Sequence, residues 1–208
     1  MINSYLEDIA LAKALKALKS EEVFIYPTDT IYGFGGDAMS SKVLDKLYSL
    51  KRRSENMPVS MIVRNKIMLS QYAHIPAKAD LLINQFLPGA LTLVLPAKDI
   101  VMPNKLFSVQ GYLGFRIPNH DFCRELSEAF EGPIITTSVN FSGKAPMNNI
   151  KSINDQFGNE IKLMISDPKL DLSTEALNST VVMISKDESL EILREGIISA
   201  ESINQALQ

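Results

Sequence analysis

YPTDTIYGFGGDA (Tyr26–Ala38) is the stretch on which the reading of this chain turns. It follows a short apolar run, Val23-Phe24-Ile25, and holds two threonines, two tyrosines and three glycines. Gly33-Phe34-Gly35-Gly36-Asp37-Ala38 fits G-x-G-x-x-A, the dinucleotide fingerprint, with a strand before it and a helix after it. Taken alone, that match makes a doubly wound dinucleotide-binding fold. The spacing argues against it. Seven residues, Pro27 among them, separate Ile25 from Gly33, whereas the first glycine belongs in the turn directly after the strand. The acid expected about 20 residues further on is also misplaced, because the next strand candidate, Val59 to Val63, runs into Arg64. The glycines therefore read as a glycine-rich turn that lets the backbone pass close to a cavity floor. The hydroxyls of Thr28 and Thr30 and the carboxylate of Asp29 read as the polar lip of a pocket.

Outward from this stretch, strand and helix signals alternate. Leu6, Ile9, Leu11, Leu15 and Leu18 recur at helical spacing and predict a helix over 5–20, with Asn3 or Ser4 as its cap. Val23 to Tyr26 is strand-like and Pro27 ends it. Ser40 or Ser41 caps a helix to about Leu50, with Val43, Leu44, Leu47 and Leu50 inward. Strands are expected at Val59–Val63, Leu91–Leu95, Tyr112–Ile117, Pro133–Thr137, 161–165, 179–184 and 190–194. Helices are expected at 65–73, 77–86, 121–130, 150–157 and 199–207, with a turn at Pro88-Gly89. Residues 97–111 read as loop and 166–178 as a long surface loop. Some strands lie too close in sequence for helical crossovers, which favours a mixed, twisted α/β sheet over a purely parallel one.

The bulk composition sets limits. The 208 residues fit one domain with a substantial core, 46% of them being hydrophobic. A net charge of −3 offers no bulk basic field for nucleic acid, so any RNA contact needs a local patch. One cysteine, Cys123, excludes an internal disulfide and a Cys-rich metal site and suits a reducing cytosol. The first twenty residues lack the build of a signal peptide, and no run of 18 apolar residues exists, so a cytoplasmic, membrane-free protein is expected.

Several other stretches carry chemistry. In LYSLKRRSENMP (47–58), Lys51, Arg52 and Arg53 sit at a helix end. They read either as cations favourable to the helix dipole or as a phosphate clamp of point charge and planar fork. Lys51 and Arg53 diverge on a continuing helix and converge only if the helix stops there. In LGFRIPNH (113–120), Arg116 lies inside an apolar strand, where a charge needs a partner or a cavity. His120 follows it, and His74, without polar company, reads as structural. With two histidines and one cysteine, no metal site is expected. PIITTSVNFSGKAP (133–146) is an apolar strand ending in Thr136, Thr137, Ser138, Asn140 and Ser142, the kind of strand end where ligands gather in α/β sheets. Its SGKA fragment fails as a Walker loop, since residue 145 is alanine and no glycine precedes Gly143 by five. Ser179 with Thr180, and Arg194, place polar groups at two further strand edges.

Taken together and in this order, YPTDTIYGFGGDA, LKRR, FLPGALTLVL, LGFRIPNH, TTSVNFSG, STVV and LREG resemble the YrdC/Sua5 family, the L-threonylcarbamoyladenylate synthases. The likeness runs from residue 26 to 196. It implies a single YrdC-like α/β domain over 1–208, with a large twisted sheet around a concave basic cavity. It also implies a reaction in which L-threonine, bicarbonate and ATP with Mg2+ give threonylcarbamoyl-AMP and pyrophosphate. The product would feed a separate threonylcarbamoyl-transferase complex that modifies position 37 of tRNAs, with tRNA or double-stranded RNA as a further contact. The family's Lys-x-Arg and Ser-x-Asn signature falls on Lys51, Arg53, Ser138 and Asn140, the catalytic set the resemblance implies. By the same resemblance Lys51, Arg53, Arg116, Asn140 and Arg194 hold the nucleotide, and Thr30, His120, Ser138 and Ser179 line the threonine side, with no resident metal. The chain departs from the pattern at Phe86-Leu87-Pro88-Gly89-Ala90, where Trp-Pro-Gly-Pro is usual. It departs again at Glu195, where many members have proline, and at Met57, where many have asparagine, Asn56 lying one residue earlier. Long members often carry histidine in the strand that here reads Val59-Ser60-Met61-Ile62-Val63. The length matches the short form of the family. The alternatives are a YciO-like paralogue and an RNA-binding protein without this turnover.

Overall fold

Among the described residues ten short strands form one mixed sheet, and the period-two alternation along them sends neighbouring side chains into different cores. The computed structural model describes residues 2–4, 8–54, 57–108, 110–171 and 177–208. The strands are β1 (Ile2–Ser4), β2 (Phe24–Tyr26), β3 (Gly33–Gly35), β4 (Ser60–Ile62), β5 (Leu91–Pro96), β6 (Tyr112–Arg116), β7 (Ile134–Ser138), β8 (Met164–Ser166), β9 (Thr180–Ile184) and β10 (Leu190–Arg194). Their spatial order is β1-β8-β2-β3-β7-β4-β6-β5-β9-β10. The pairs β1–β8, β8–β2, β4–β6 and β5–β9 are parallel and the other neighbours antiparallel. The helices are α1 (Asp8–Lys19), α2 (Ser41–Lys51), α3 (Lys66–Tyr72), α4 (Ala77–Phe86), α5 (Asp121–Phe130), α6 (Ile150–Phe157), α7 (Pro168–Asp171) and α8 (Ala200–Gln205).

Phe24 and Tyr26 of β2, Ile62 of β4, Ile134 of β7 and Ile165 of β8 pack with α1 and α5 in the smaller core. Their chain neighbours Ile25, Met61, Ile135 and Met164 join the larger core with Val43, Leu44 and Leu47 of α2 and Met68 and Leu69 of α3. Each fully buried side chain of this size stabilises the fold by about 1.5–3 kcal/mol. On α1 the buried positions are Ala10, Ala14, Ala17 and Leu18. Small residues at that spacing let the helix lie close to the sheet.

Most sequence expectations hold, and α5 lies where the periodicity places it. Three do not. Asn3 and Ser4 do not cap α1; they lie in β1, which pairs with β8 through a contact over 160 positions away in sequence that no local pattern reveals. Residues 5–7 of the expected first helix lie outside the described residues. The glycines of the opening stretch are not a turn: Gly33–Gly35 is β3, antiparallel to both β2 and β7. Glycine is required at 35 because a Cβ there would meet the Tyr26 ring at 2.7 Å, and at 36 because it would meet Val43 Cγ1 at 2.4 Å. The segment expected as a surface loop begins with buried Asp167 and the short helix α7, while 172–176 lie outside the described residues.

The two cores leave part of the sheet bare. α1 and α5 cover the face that bears Phe24, Tyr26, Ile62 and Ile134. Further along the same face, Ser60, Gly114, Thr92, Val94, Val181 and Met183 point away from the larger core into open space. Their chain neighbours Leu91, Leu93, Leu95, Leu113, Phe115 and Val182 are buried on the other side. This hollow is the candidate site.

Candidate active site

The hollow is a cavity of about 690 Å³, within the usual range for small-molecule sites. Strand register orders its floor. One row runs Thr136–Ser60–Gly114–Val94–Met183–Glu191 across β7, β4, β6, β5, β9 and β10. A second row runs Arg116–Thr92–Val181–Arg194 across β6, β5, β9 and β10. Small side chains hollow out the centre, and glycine is needed at its deepest point: a Cβ at 114 would meet Ser60 Oγ at 2.6 Å.

The charged lining residues are Arg53, Arg116, Arg194 and Glu191. Arg53 stands at the end where β4 begins, donating from Nε to the Met57 carbonyl at 2.7 Å and from Nη2 to the Pro58 carbonyl at 2.8 Å. It gets there because α2 stops at Lys51. Arg52 adopts φ 50°, ψ 45°, its N–H bonding Ser49 O at 3.1 Å while the Arg53 N–H bonds Tyr48 O at 3.0 Å. That left-handed residue closes the helix and separates the two side chains: Arg53 faces the cavity and Lys51 goes beneath it.

Lys51 is fully buried and does not line the cavity. Its Nζ donates to the Ser138 carbonyl and, at 3.1 Å, to Asn140 Oδ1. Burial, and then the charge of Arg53, lower its pKa to about 7. Asn140 is 8% exposed and also stands behind the lining; its Oδ1 accepts from Ser138 Oγ at 2.5 Å, and its Nδ2 donates to Phe141 O and Lys144 O. Ser138 does line the cavity, beside Thr137 and Gly33. Of the four signature residues, Lys51, Ser138 and Asn140 are thus one bonded group, with Ser138 at the cavity surface and the other two behind it, while Arg53 reaches the lining on its own bonds to Met57 O and Pro58 O.

At the opposite end, Arg116 donates from Nη1 to Thr30 Oγ1 at 2.8 Å and from Nη2 to Asp29 Oδ1 at 2.6 Å. The ion pair is buried, with side chains 6% and 12% exposed, and the Nε of Arg116 is buried without a hydrogen-bond partner. Thr28 ties the turn that carries these groups: its hydroxyl donates to Ile31 O at 2.6 Å and accepts from the N–H groups of Thr30 and Ile31. Arg194 donates from Nε and Nη2 to the Ser179 carbonyl and from Nη2 to Ser179 Oγ, which lies 2.8 Å from Thr92 Oγ1. Burial, and then the charge of Arg116, make the Arg194 guanidinium costlier to keep charged. An anion between these two cations relieves that repulsion. Thr180 Oγ1 and Gly196 hold the loop after β10 against Asn178–Ser179; a Cβ at 196 would meet Asn178 O at 2.2 Å.

His120 is placed away from the lining. It caps α5, its Nδ1 accepting from the Phe122 N–H at 3.2 Å, and its Nε2 lies 3.3 Å from Asp167 Oδ2. That geometry puts the ring proton on Nε2. Of the departures noted in the sequence, the Val59–Val63 strand puts Ser60 in the lining itself, while Glu195 and Phe86 stand outside it. Glu195 faces away and accepts from the Ala200 N–H at 2.9 Å, Phe86 packs against the larger core, and Asn56 lies outside the described residues. Sequence reading missed Ser60, Thr92, Gly114 and Glu191 in the lining. For Thr92 and Gly114 the signal was the alternation in LTLVLP and YLGFR, which puts every second residue on the face opposite the leucines; a bulge breaks that pattern in β10, and the three-residue β4 is too short to show it.

A cavity with arginines at both ends, a small neutral floor and hydroxyls of Thr30, Ser138 and Ser179 between them can hold anionic groups and bring them together. The family model described as "Telomere recombination" (Sua5_yciO_yrdC) matches residues 16–196. The chain belongs to the Sua5/YciO/YrdC family. Among its relatives, the threonylcarbamoyl-AMP synthase of Homo sapiens is 33% identical over 202 residues, covering 96% of this chain and 71% of that protein. The crystal structure of P. abyssi Sua5 complexed with L-threonine superposes with a TM-score of 0.90 at 26% identity. This chain aligns over its whole length and spans 61% of that one. E. coli YciO shares the fold, with a TM-score of 0.84 at 21% identity, covering 98% of this chain and 97% of its own.

Proposed function

We propose that this member of the family is a threonylcarbamoyl-AMP synthase, joining L-threonine, bicarbonate and ATP into threonylcarbamoyl-AMP, with release of pyrophosphate and water. The single observation that carries the reading is the convergence of Arg53, Arg116 and Arg194 from three distant segments onto one small-residue floor. The names of the relatives point the same way. The threonine amine adds to bicarbonate-derived CO2, forming a C–N bond. A carbamate oxygen then attacks the α-phosphorus of ATP, an O–P bond forms, and the bond to the β-phosphate oxygen breaks. Both reactants are anionic, so the reaction needs fixed cations and alignment more than a covalent nucleophile.

In this reading, Arg53 with Ser138 holds one anion and Arg116 with Arg194 holds the other. Thr30 and Ser179 direct hydroxyls toward the second end, while Lys51 and Asn140 set the position of Ser138 from behind. His120 supports the scaffold. Mg2+ enters with the nucleotide as part of the substrate: among the described residues Glu191 is the one carboxylate in the lining. Among the described residues no group of three His, Cys, Asp or Glu could hold an ion. Also among them, no helix is long and apolar enough to cross a membrane. The product then serves a transferase complex acting on tRNA.

The test mixes pure protein, L-threonine, bicarbonate and Mg-ATP and measures pyrophosphate. Release that requires threonine is expected. Pyrophosphate at the same rate without threonine, or none at all, overturns the proposal. Tight, salt-sensitive tRNA binding without turnover points instead to an RNA-binding role.

A further inference from the structure

Glu191 is out of character with the rest of the cavity. Among the described residues it is the one acidic side chain in a lining that also carries three arginines. Its neighbours across the floor are Met183, which it faces in register, and Val94 beyond that. Leu193, two residues on along β10, also lines the cavity, as does Val181 on β9. A carboxylate in an apolar wall contributes nothing to gathering phosphates and repels them. Its position is therefore informative about the part of the ligand that is not a phosphate.

We infer that Glu191 sets the base preference of the nucleotide, accepting a hydrogen bond from the exocyclic amine of adenine and turning away guanine. This rests on the nucleotide being the substrate proposed above. The apolar side chains of Val181, Met183 and Leu193 on β9 and β10 suit an aromatic base lying against them. The bulge between Ile192 and Arg194 sets Glu191 opposite Met183 and Arg194 opposite Val181, two positions apart on the paired strand, on the order of 7 Å at about 3.3 Å per residue. That separation leaves room for a ribose between a base at Glu191 and a phosphate at Arg194. An ionised carboxylate only accepts hydrogen bonds. At the 6-position adenine presents an amino donor where guanine presents a carbonyl acceptor, so a carboxylate held at that position attracts one and repels the other; guanine's own donors, N1–H and the 2-amino group, are offset from it. A site built around a hydrogen bond to a ligand N–H discriminates more strongly than an apolar pocket can.

The experiment measures equilibrium binding of the α,β-methylene analogues of ATP and GTP, with Mg2+ and without threonine, to the wild-type protein and to Glu191→Gln and Glu191→Ala. These analogues cannot undergo cleavage between the α- and β-phosphates, so the result stands apart from whether threonine is the co-substrate. The wild type is expected to favour the ATP analogue, and both variants to lose about tenfold of that preference, the scale of one hydrogen bond to a charged group. Glutamine, which can also donate, is expected to gain affinity for the GTP analogue. An ATP-to-GTP ratio unchanged in both variants overturns the inference. So does a variant that weakens both analogues equally while demanding more Mg2+, because that marks Glu191 as a contact to the metal rather than the base.

Discussion

Lys51→Met isolates what a buried amine costs this fold and what it does for the site. Lys51 is fully buried, and its pKa falls from 10.5 to about 7, through burial first and the Arg53 charge second. The unfolded chain keeps the ordinary value, so between pH 7 and 10.5 the unfolded state binds more protons than the folded one. Stability then rises with pH across that window and is at its lowest below pH 7, where the folded amine is charged. At 1.36 kcal/mol per pH unit, the full cost of the buried charge is about 5 kcal/mol. Cys123 works in the opposite direction: burial raises its thiol above 9.0, so the unfolded state ionises first and stability falls above that pH. The clean interval is therefore pH 7 to 9. There, with half the amine already neutral at the start, the wild type is expected to gain about 2 kcal/mol. Methionine has a similar length and no charge. It leaves Asn140 Oδ1 bonded to Ser138 Oγ and strips the Ser138 carbonyl of its amine donor. Urea denaturation of both proteins at pH 7 and pH 9, analysed by linear extrapolation, gives the comparison. A flat wild-type profile, or an equal rise in Lys51→Met, refutes the assignment of a half-neutral amine beneath Ser138.

Arg53→Ala should lower threonine-dependent pyrophosphate release by about 100-fold or more with little change in the thermal midpoint, and turnover within a few-fold of wild type counts against its role at the anion site. Gly196→Ala drives a Cβ into Asn178 O and the Ser179 carbonyl carbon. It should displace Arg194 from Ser179 and cost about 1–3 kcal/mol of stability while raising the KM for ATP; a variant with wild-type KM removes Arg194 from the nucleotide site. Asp29→Asn leaves the Arg116 charge buried with its ion-pair partner gone, and denaturant titration should show a loss of about 3–5 kcal/mol.

Much of the fold could be read because its helices carry local signals. Ser40 accepts from the Val43 N–H at 3.2 Å, and the apolar spacing of α2, α5 and α6 matches the faces they bury. β3 was hidden because glycines have no side chains to alternate. The need for glycine there comes from the Tyr26 ring against Gly35 and Val43 against Gly36, neighbours that only the completed fold brings up. Arg53 and Ser138 were legible as site residues, but the split between Arg53 and Lys51 was not. It depends on Arg52, a non-glycine residue at φ 50° that gives no compositional sign of a helix end. The cavity floor is a property of register. Ser60, Gly114 and Val94 are ordinary residues in three separate strands, and only β4–β6 and β6–β5 pairing lays them side by side.

The arginines explain why a sheet, rather than a loop, carries this site. Arg53 is held by two backbone carbonyls and Arg194 by another, and Arg116 is gripped by a side-chain pair that the Thr28-tied turn presents. Each cation is thus fixed before any ligand arrives, so little side-chain entropy remains to be lost on binding. Repulsion between Arg116 and Arg194 is stored in the free protein and an anion releases it. β4 and β6 run parallel, so the start of one and the end of the other lie at opposite ends of the floor. That places Arg53 and the Arg116–Arg194 pair about four residues apart along the strands, on the order of 13 Å. In the proposed reaction, the two anionic reactants held at those ends meet over Ser60 and Gly114, where a larger side chain would fill the space between them.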